Sequence, residues 1–278
     1  MRVTQFRAPL LLFALVVSVP MFAAIGADVT LPVAGLLELP NDLTYRTELT
    51  ITNYRDVLQY VQLSLVHDGH DSTFAVFPIE PRHTLFLPSG GFATGGGQTS
   101  RVGALRIRAV TGNAGGPNNP PDPQGQIEAS AFVVADRGRF AKNGSSRQEV
   151  AGIPSSEYEA EEAVFLGVRH SPGTNYYTNV GIVNLHPTQT ETFFVEYQFQ
   201  DPTVVVVPPL SHRQIRIGGG GNSGRYVRVT PEWALLDEAP ARTTPWVAYS
   251  STVDTLTGDA FSGMRVPAGI KYNFPDEP

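Results

Sequence analysis

Two imidazoles spaced three residues apart, each beside a carboxylate, make His67-Asp68-Gly69-His70-Asp71 the densest group of metal-ligating side chains in the chain. A transition-metal site gathers three or four such ligands, so this pair needs a third donor from the fold, and His83 and His212 are the distant candidates. The same residues also read as a hairpin, because Asp-Gly is the dipeptide of a type I′ turn, in which both central residues take positive φ. A second candidate is Asp254 with Asp259, flanking Thr255-Leu256-Thr257-Gly258. A tight loop there turns two carboxylates and carbonyl oxygens onto Ca²⁺; the competing reading is an ordinary hairpin in which Asp and Thr bond nearby amides. His67, His70, Asp254 and Asp259 are thus the candidate metal ligands.

Other chemistries find less support. The glycine-rich stretches Ser89 to Gly97 and Gly218 to Gly224 are followed by Gln98 and Arg225 and then by extended sequence. A phosphate cradle needs a helix start and a Lys-Ser/Thr pair instead. There is no G-x-S-x-G and no H-E-x-x-H, so no catalytic residue and no cofactor is assigned. Among the aromatic residues, Tyr176, Tyr177, Trp233 and Trp246 lie near loops, where rings stack on sugar faces or anchor a protein partner. Packing within a core or between domains is the competing use.

The elements that must carry these residues emerge from an internal repeat. Tyr45 to Asn53 lines up with Tyr176 to Asn184, anchored on Thr47/Thr178 and Asn53/Asn184. Val57 to His67 then matches Glu191 to Gln200, with Val57, Gln59, Val61, Leu63 and Leu65 on one face of the first. In the second, Phe193, Val195, Tyr197 and Phe199 oppose Phe194, Glu196, Gln198 and Gln200. Period two is the mark of half-buried strands. Pro81 to Leu87 matches Pro209 to Ile217, Gly103 to Arg108 matches Gly224 to Val229, and Gln126 to Val134 matches Trp246 to Val253. Each copy holds about seven short extended runs at intervals of about ten residues, the pattern of an antiparallel β-sandwich. Only Ser155 to Ala163, with a capping box from Ser156 and Glu159, and Pro231 to Glu238 read as helical.

Composition sets the compartment. Arg2 and Arg7, the apolar run Leu10 to Val19, the helix-breaking Pro20 and the small residues Ala23 to Ala27 read as a secretory leader, cut beside Ala27. Its apolar run is too short for a comfortable bilayer span, and no later segment could cross as a helix. Without the leader, 18 basic residues face 26 acidic ones, a net charge of −8, which argues against a nucleic-acid partner. With no cysteine, disulfides and thiolate chemistry are excluded, as suits a bacterial exported protein.

At Thr47-Glu48-Leu49-Thr50-Ile51-Thr52-Asn53, at its second copy Thr178 to Asn184, and at Ser250 to Asp259, the chain resembles a family of uncharacterised exported bacterial proteins of the Acidobacteria type. These look like tandem Ig-like β-sandwiches with a T-D-L-x-L-x-N strand and a S-x-V-D-x-x-T-G-D ending. Glu48 and Asn179 stand where Asp is usual, and Thr255 where Asn is expected. The resemblance implies a fold and a compartment and brings no activity.

The expectation is therefore all-β: a leader (1–27), two tandem antiparallel Ig-like sandwiches (28–155 and 164–268), an acidic linker (156–163) and a tail (269–278). The expected function is a non-enzymatic structural, adhesive or protein-interaction module, exported to the periplasm, surface or medium and meeting a protein or glycan there. Carbohydrate binding is the alternative, with a metal-dependent hydrolase or a strand-donating chaperone behind it.

Overall fold

A computed structural model describes residues 25–39, 43–88, 101–112, 119–136, 146–158, 161–169, 176–198, 200–217, 226–235, 244–254 and 260–266. The protein is all-β and its ladders are antiparallel. Residues 25–158 carry β1 (Asp28–Leu39), β2 (Leu43–Asn53), β3 (Gln59–His67), β4 (His70–Ile79), β5 (Thr84–Leu87), β6 (Arg101–Val110), β7 (Ile127–Asp136), β8 (Ser146–Ala151) and β9 (Ile153–Pro154). Residues 161–266 carry β10 (Ala163–Leu166), β11 (Tyr176–Asn184), β12 (Glu191–Tyr197), β13 (Thr203–Val207), β14 (Ser211–Ile217), β15 (Tyr226–Pro231), β16 (Trp246–Asp254), β17 (Ala260–Ser262) and β18 (Met264–Arg265).

In the first half the ladders run β4-β3-β6-β1-β9 and β5-β2-β7-β8. The second half repeats this with β13-β12-β15-β10-β18 and β14-β11-β16-β17. One pairing lacks a counterpart: Leu36 to Leu39 of β1 pair with Leu43 to Arg46 of β2 and fuse the first two ladders into a nine-stranded sheet.

Alternating side chains close each pair of layers over apolar residues. Val29, Leu31, Leu49, Ile51, Leu63, Leu105, Ile107 and Ile127 form the first cluster. Phe165, Val180, Ile182, Phe193, Val195, Val227, Val229 and Trp246 belong to the second. Each such side chain contributes roughly 1.5–3 kcal/mol on burial. Strand β12 alternates as its sequence demands, with Phe193, Val195 and Tyr197 buried and Phe194 and Glu196 half-buried. In β3, by contrast, Gln62, Ser64 and Val66 are buried as well as the expected face, because the outer side of this strand is also covered.

The polar anchors of the repeat are buried clamps. Asn53 Nδ2 donates to the carbonyls of Val57, Ile79 and Glu80, while its Oδ1 accepts from the Arg55 amide. Asn184 Nδ2 donates to Gln189 and Val207, and its Oδ1 accepts from His186. Thr47 Oγ1 accepts from the Gly35 amide at 2.9 Å, and Thr178 Oγ1 donates to the Arg169 carbonyl at 2.7 Å. An ion pair recurs too: Arg106 binds Asp28 and Arg228 binds Glu162.

Two expectations need correction. Among the described residues the segments expected to be helical show only 3-10 turns, Ser155–Glu157 and Glu232–Leu235, the first without a side-chain cap; Glu159 lies outside the described residues. Just beyond the first turn Tyr158 is held to β1, its hydroxyl meeting Thr30 Oγ1 at 2.8 Å. Burial pushes that phenol up to about 12. Secondly, the ladders align Ile107 with Val229, opposite Val29 and Ala163 respectively. That matches Arg106 to Arg228, one place from the sequence alignment, and keeps Leu105 and Val227 both buried. A one-residue slip would have sent an arginine inward.

Gly26 and Ala27 belong to the fold: Gly26 exchanges both backbone hydrogen bonds with Ile127, and the Ala27 carbonyl accepts from Ala109.

Candidate functional site

The two halves meet through a third apolar cluster: Val66, Ala104 and Ile153 from one, Val183, Leu185 and Val247 from the other. The His67–His70 hairpin completes this joint. Asp68 and Gly69 take φ of 48° and 85°, the positive values that an Asp-Gly turn allows. The Gly69 amide then donates to the Leu210 carbonyl and to Ser211 Oγ, both at 3.1 Å. His67 and His70 are paired across the turn with ring centroids 6.3 Å apart. Among the described residues no group of three His, Cys, Asp or Glu side chains stands where a metal ion could be held. His83 bonds its own turn at Pro81, while His212 sits at the joint. The β2–β5 and β11–β14 ladders align Thr84, not His83, with His212. Asp254 ends β16, and Asp259 lies outside the described residues.

On the far side of the joint the outer face of β11, β14 and β16 meets the first half again. Gln148 of β8 accepts from Ser251 Oγ at 2.7 Å and donates to Ser262 Oγ at 3.1 Å. Ser262 also donates to the Glu149 carbonyl, and Arg265 Nη2 donates to the Glu157 carbonyl. Between these contacts lies a cleft of about 300 Å³. Val33, Ala34 and Leu37 of β1 line one side of it, and Tyr177, Tyr249 and Val253 the other. The wall from β1 exists because that strand breaks register between Leu31 and Ala34 and turns through Gly35, at φ 143°.

Tyr249 organises the opposite wall. Its ring occupies the space over Gly181 that any Cβ would fill, which is the reason a glycine stands in mid-strand. The hydroxyl donates to Gln214 Oε1 at 2.7 Å and meets His212 Nε2 at 3.2 Å, with the two rings stacked. Burial raises the phenol pKa, so it stays neutral. Burial, then the charge of Arg213, drops His212 to about 4, partly opposed by Asp68 across the joint.

Of the aromatic candidates, only Tyr177 lines the cleft, with the Arg216 guanidinium 4.2 Å from its ring centroid. Tyr176 packs edge-on against Phe261 beneath Arg169. Trp233 is half-buried in its 3-10 turn. Trp246 is corrected outright as a ligand contact: fully buried, it tilts against Phe193 at 5.0 Å inside the second core. Sequence reasoning missed Asn179, Gln214 and Gln148, because only tertiary packing brings them to one cleft; the glycine at 181 was the signal within reach.

No family model, curated protein or solved structure matches the chain.

Proposed function

We propose that the chain is an exported, non-enzymatic module in which residues 28–155 and 164–268 are two Ig-like sandwiches joined through 156–163. Its role is structural, adhesive or protein-binding at the cell exterior, and it is kin to the Acidobacteria-type exported proteins it resembles. The observation that carries this reading is the joint: an apolar cluster plus backbone and side-chain hydrogen bonds tie the halves at several separated points. Several such ties hold two bodies in one orientation, as a rigid presenting rod requires. The test is saturable binding of the labelled mature protein to envelope fractions of its producer, weakened when Val183→Asp loosens the joint. Envelope binding that is absent, or a hydrolytic turnover that copurifies with the protein, overturns it. Export carries a corollary: the leader is cut beside Ala27, and N-terminal sequencing of secreted material reads the position directly.

Carbohydrate binding is the second reading, favoured by Tyr177 standing beside the amides of Asn179 and Gln214 at the cleft. A ring with neighbouring amides is a usual sugar platform. A glycan array with no binder removes it.

A further inference from the structure

We propose that the cleft between the halves binds an uncharged, chiefly apolar small molecule carrying a single oxygen function, such as a two-ring ketone or a short acyl ester. This goes beyond the scaffold reading and does not rest on it.

Volume and chemistry both select this class. At about 300 Å³ the cleft stands at the lower end of the range that small ligands occupy, about 300–1,000 Å³. Aliphatic side chains dominate its walls, and among the described lining residues there is no carboxylate, ammonium, guanidinium or imidazole. An ion entering there would lose water and find no counter-charge among the described lining residues, the Arg216 guanidinium being stacked on the Tyr177 ring outside them. The ionisable groups among the described lining residues are the phenols of Tyr45, Tyr177 and Tyr249, and burial keeps Tyr249 neutral with its hydroxyl already spent on Gln214.

Most polar groups in the cleft are likewise occupied. Gln148 uses both ends of its amide on Ser251 and Ser262, and Thr47 Oγ1 holds the Gly35 amide. Two amides remain open toward a ligand, beside the Tyr177 hydroxyl. Asn179 makes no side-chain hydrogen bond to a described residue, and Gln214 has its Oε1 engaged but not its Nε2. These are two N–H donors beside one phenol hydroxyl on a chiefly aliphatic and aromatic lining, suited to one carbonyl or ester oxygen. The walls are also fixed in advance by the Gly35–Thr47 and Gln148–Ser251 bonds, which reduces the ordering that binding must pay for.

The test uses the full mature chain and the neutral naphthalene ketone prodan, whose emission moves to the blue when it leaves water. Expected are one saturable site per chain and a blue shift, with the anionic probe anilinonaphthalene sulfonate binding about tenfold or more weakly. Val253→Trp and Ala260→Phe, fillers on different strands, should each lower prodan affinity by about tenfold or more. Asn179→Leu with Gln214→Leu should keep binding and move the emission further to the blue, since the carbonyl loses its donors. Val204→Lys with Val206→Lys on β13, whose side chains are more than half exposed, should change nothing. The proposal is overturned by absent saturation, by equal affinity for the anionic probe, by full affinity in either folded filler, or by loss of binding in the β13 variant.

Discussion

The two halves share every ladder but one, and the exception makes the cleft. Strand β1 has twelve residues and β10 four. After Leu31, β1 breaks register, passes through Gly35 and crosses to β2, whereas β10 stops at Leu166, just before Gly167 at φ 75°. The longer strand therefore seals the end of its own sandwich and offers Val33, Ala34 and Leu37 to its neighbour. The lesson is that two halves with matching ladders place their distinctive surface where those ladders differ, while the matching residues serve the core.

The strongest way to challenge the comparison is to damage each core separately. Trp246 and Ile127 occupy matching places, opposite Asn184 and Asn53. Trp246→Ala should cost about 4 kcal/mol and Ile127→Ala about 3 kcal/mol, each read by urea unfolding with a probe in its own half. Separate cores predict that each lesion lowers its own transition more; equal shifts in both would mean that the joint makes them one cooperative unit.

A pH contrast should separate the halves next. His212 is held neutral down to about pH 4 in the folded chain but protonates near 6.5 when unfolded. Between those values the unfolded chain binds more protons, so the contribution is complete above pH 6.5 and disappears as the pH falls toward 4. Its size is up to about 3 kcal/mol. His212→Thr, copying Thr84 of the first half, should flatten that slope in a series of melts from pH 7 to 4; an unchanged slope assigns the titration elsewhere.

Smaller effects test the clamps. Asn53→Ala and Asn184→Ala should cost about 2–3 kcal/mol, since each leaves buried carbonyls without a donor. Asn53, which serves three carbonyls against two, should be the costlier. Finally, Gly35→Ala should cost about 1–3 kcal/mol and Gly167→Ala about 1 kcal/mol. Hydrogen exchange should show the β1–β2 amides opening only in the former.

Much of the frame was legible in the sequence because period-two alternation and Asp-Gly chemistry are local. The match of Tyr45–Asn53 to Tyr176–Asn184 agrees with the ladders, since Thr and Asn stand at both ends of it. Matching Gly103 to Gly224 slipped the next pair by one, because glycine identity outweighed the position of the inward valines. Trp246 stayed open between ligand contact and core packing, because a neighbouring loop says nothing about which way the first strand residue faces. Asn179 and Gln214 were invisible as a site: they gain meaning only through partners from β1, more than a hundred residues away.

The unequal anchoring of the first and last described strands decides how this molecule yields to tension. Strand β1 is held by seven residue pairs to β6, four to β2 and two to β9, while β18 is held by two to β10. A force applied between the ends strips the carboxyl-terminal ribbon first and leaves the amino-terminal body intact, an order that optical tweezers would record as a small early extension before the main rupture.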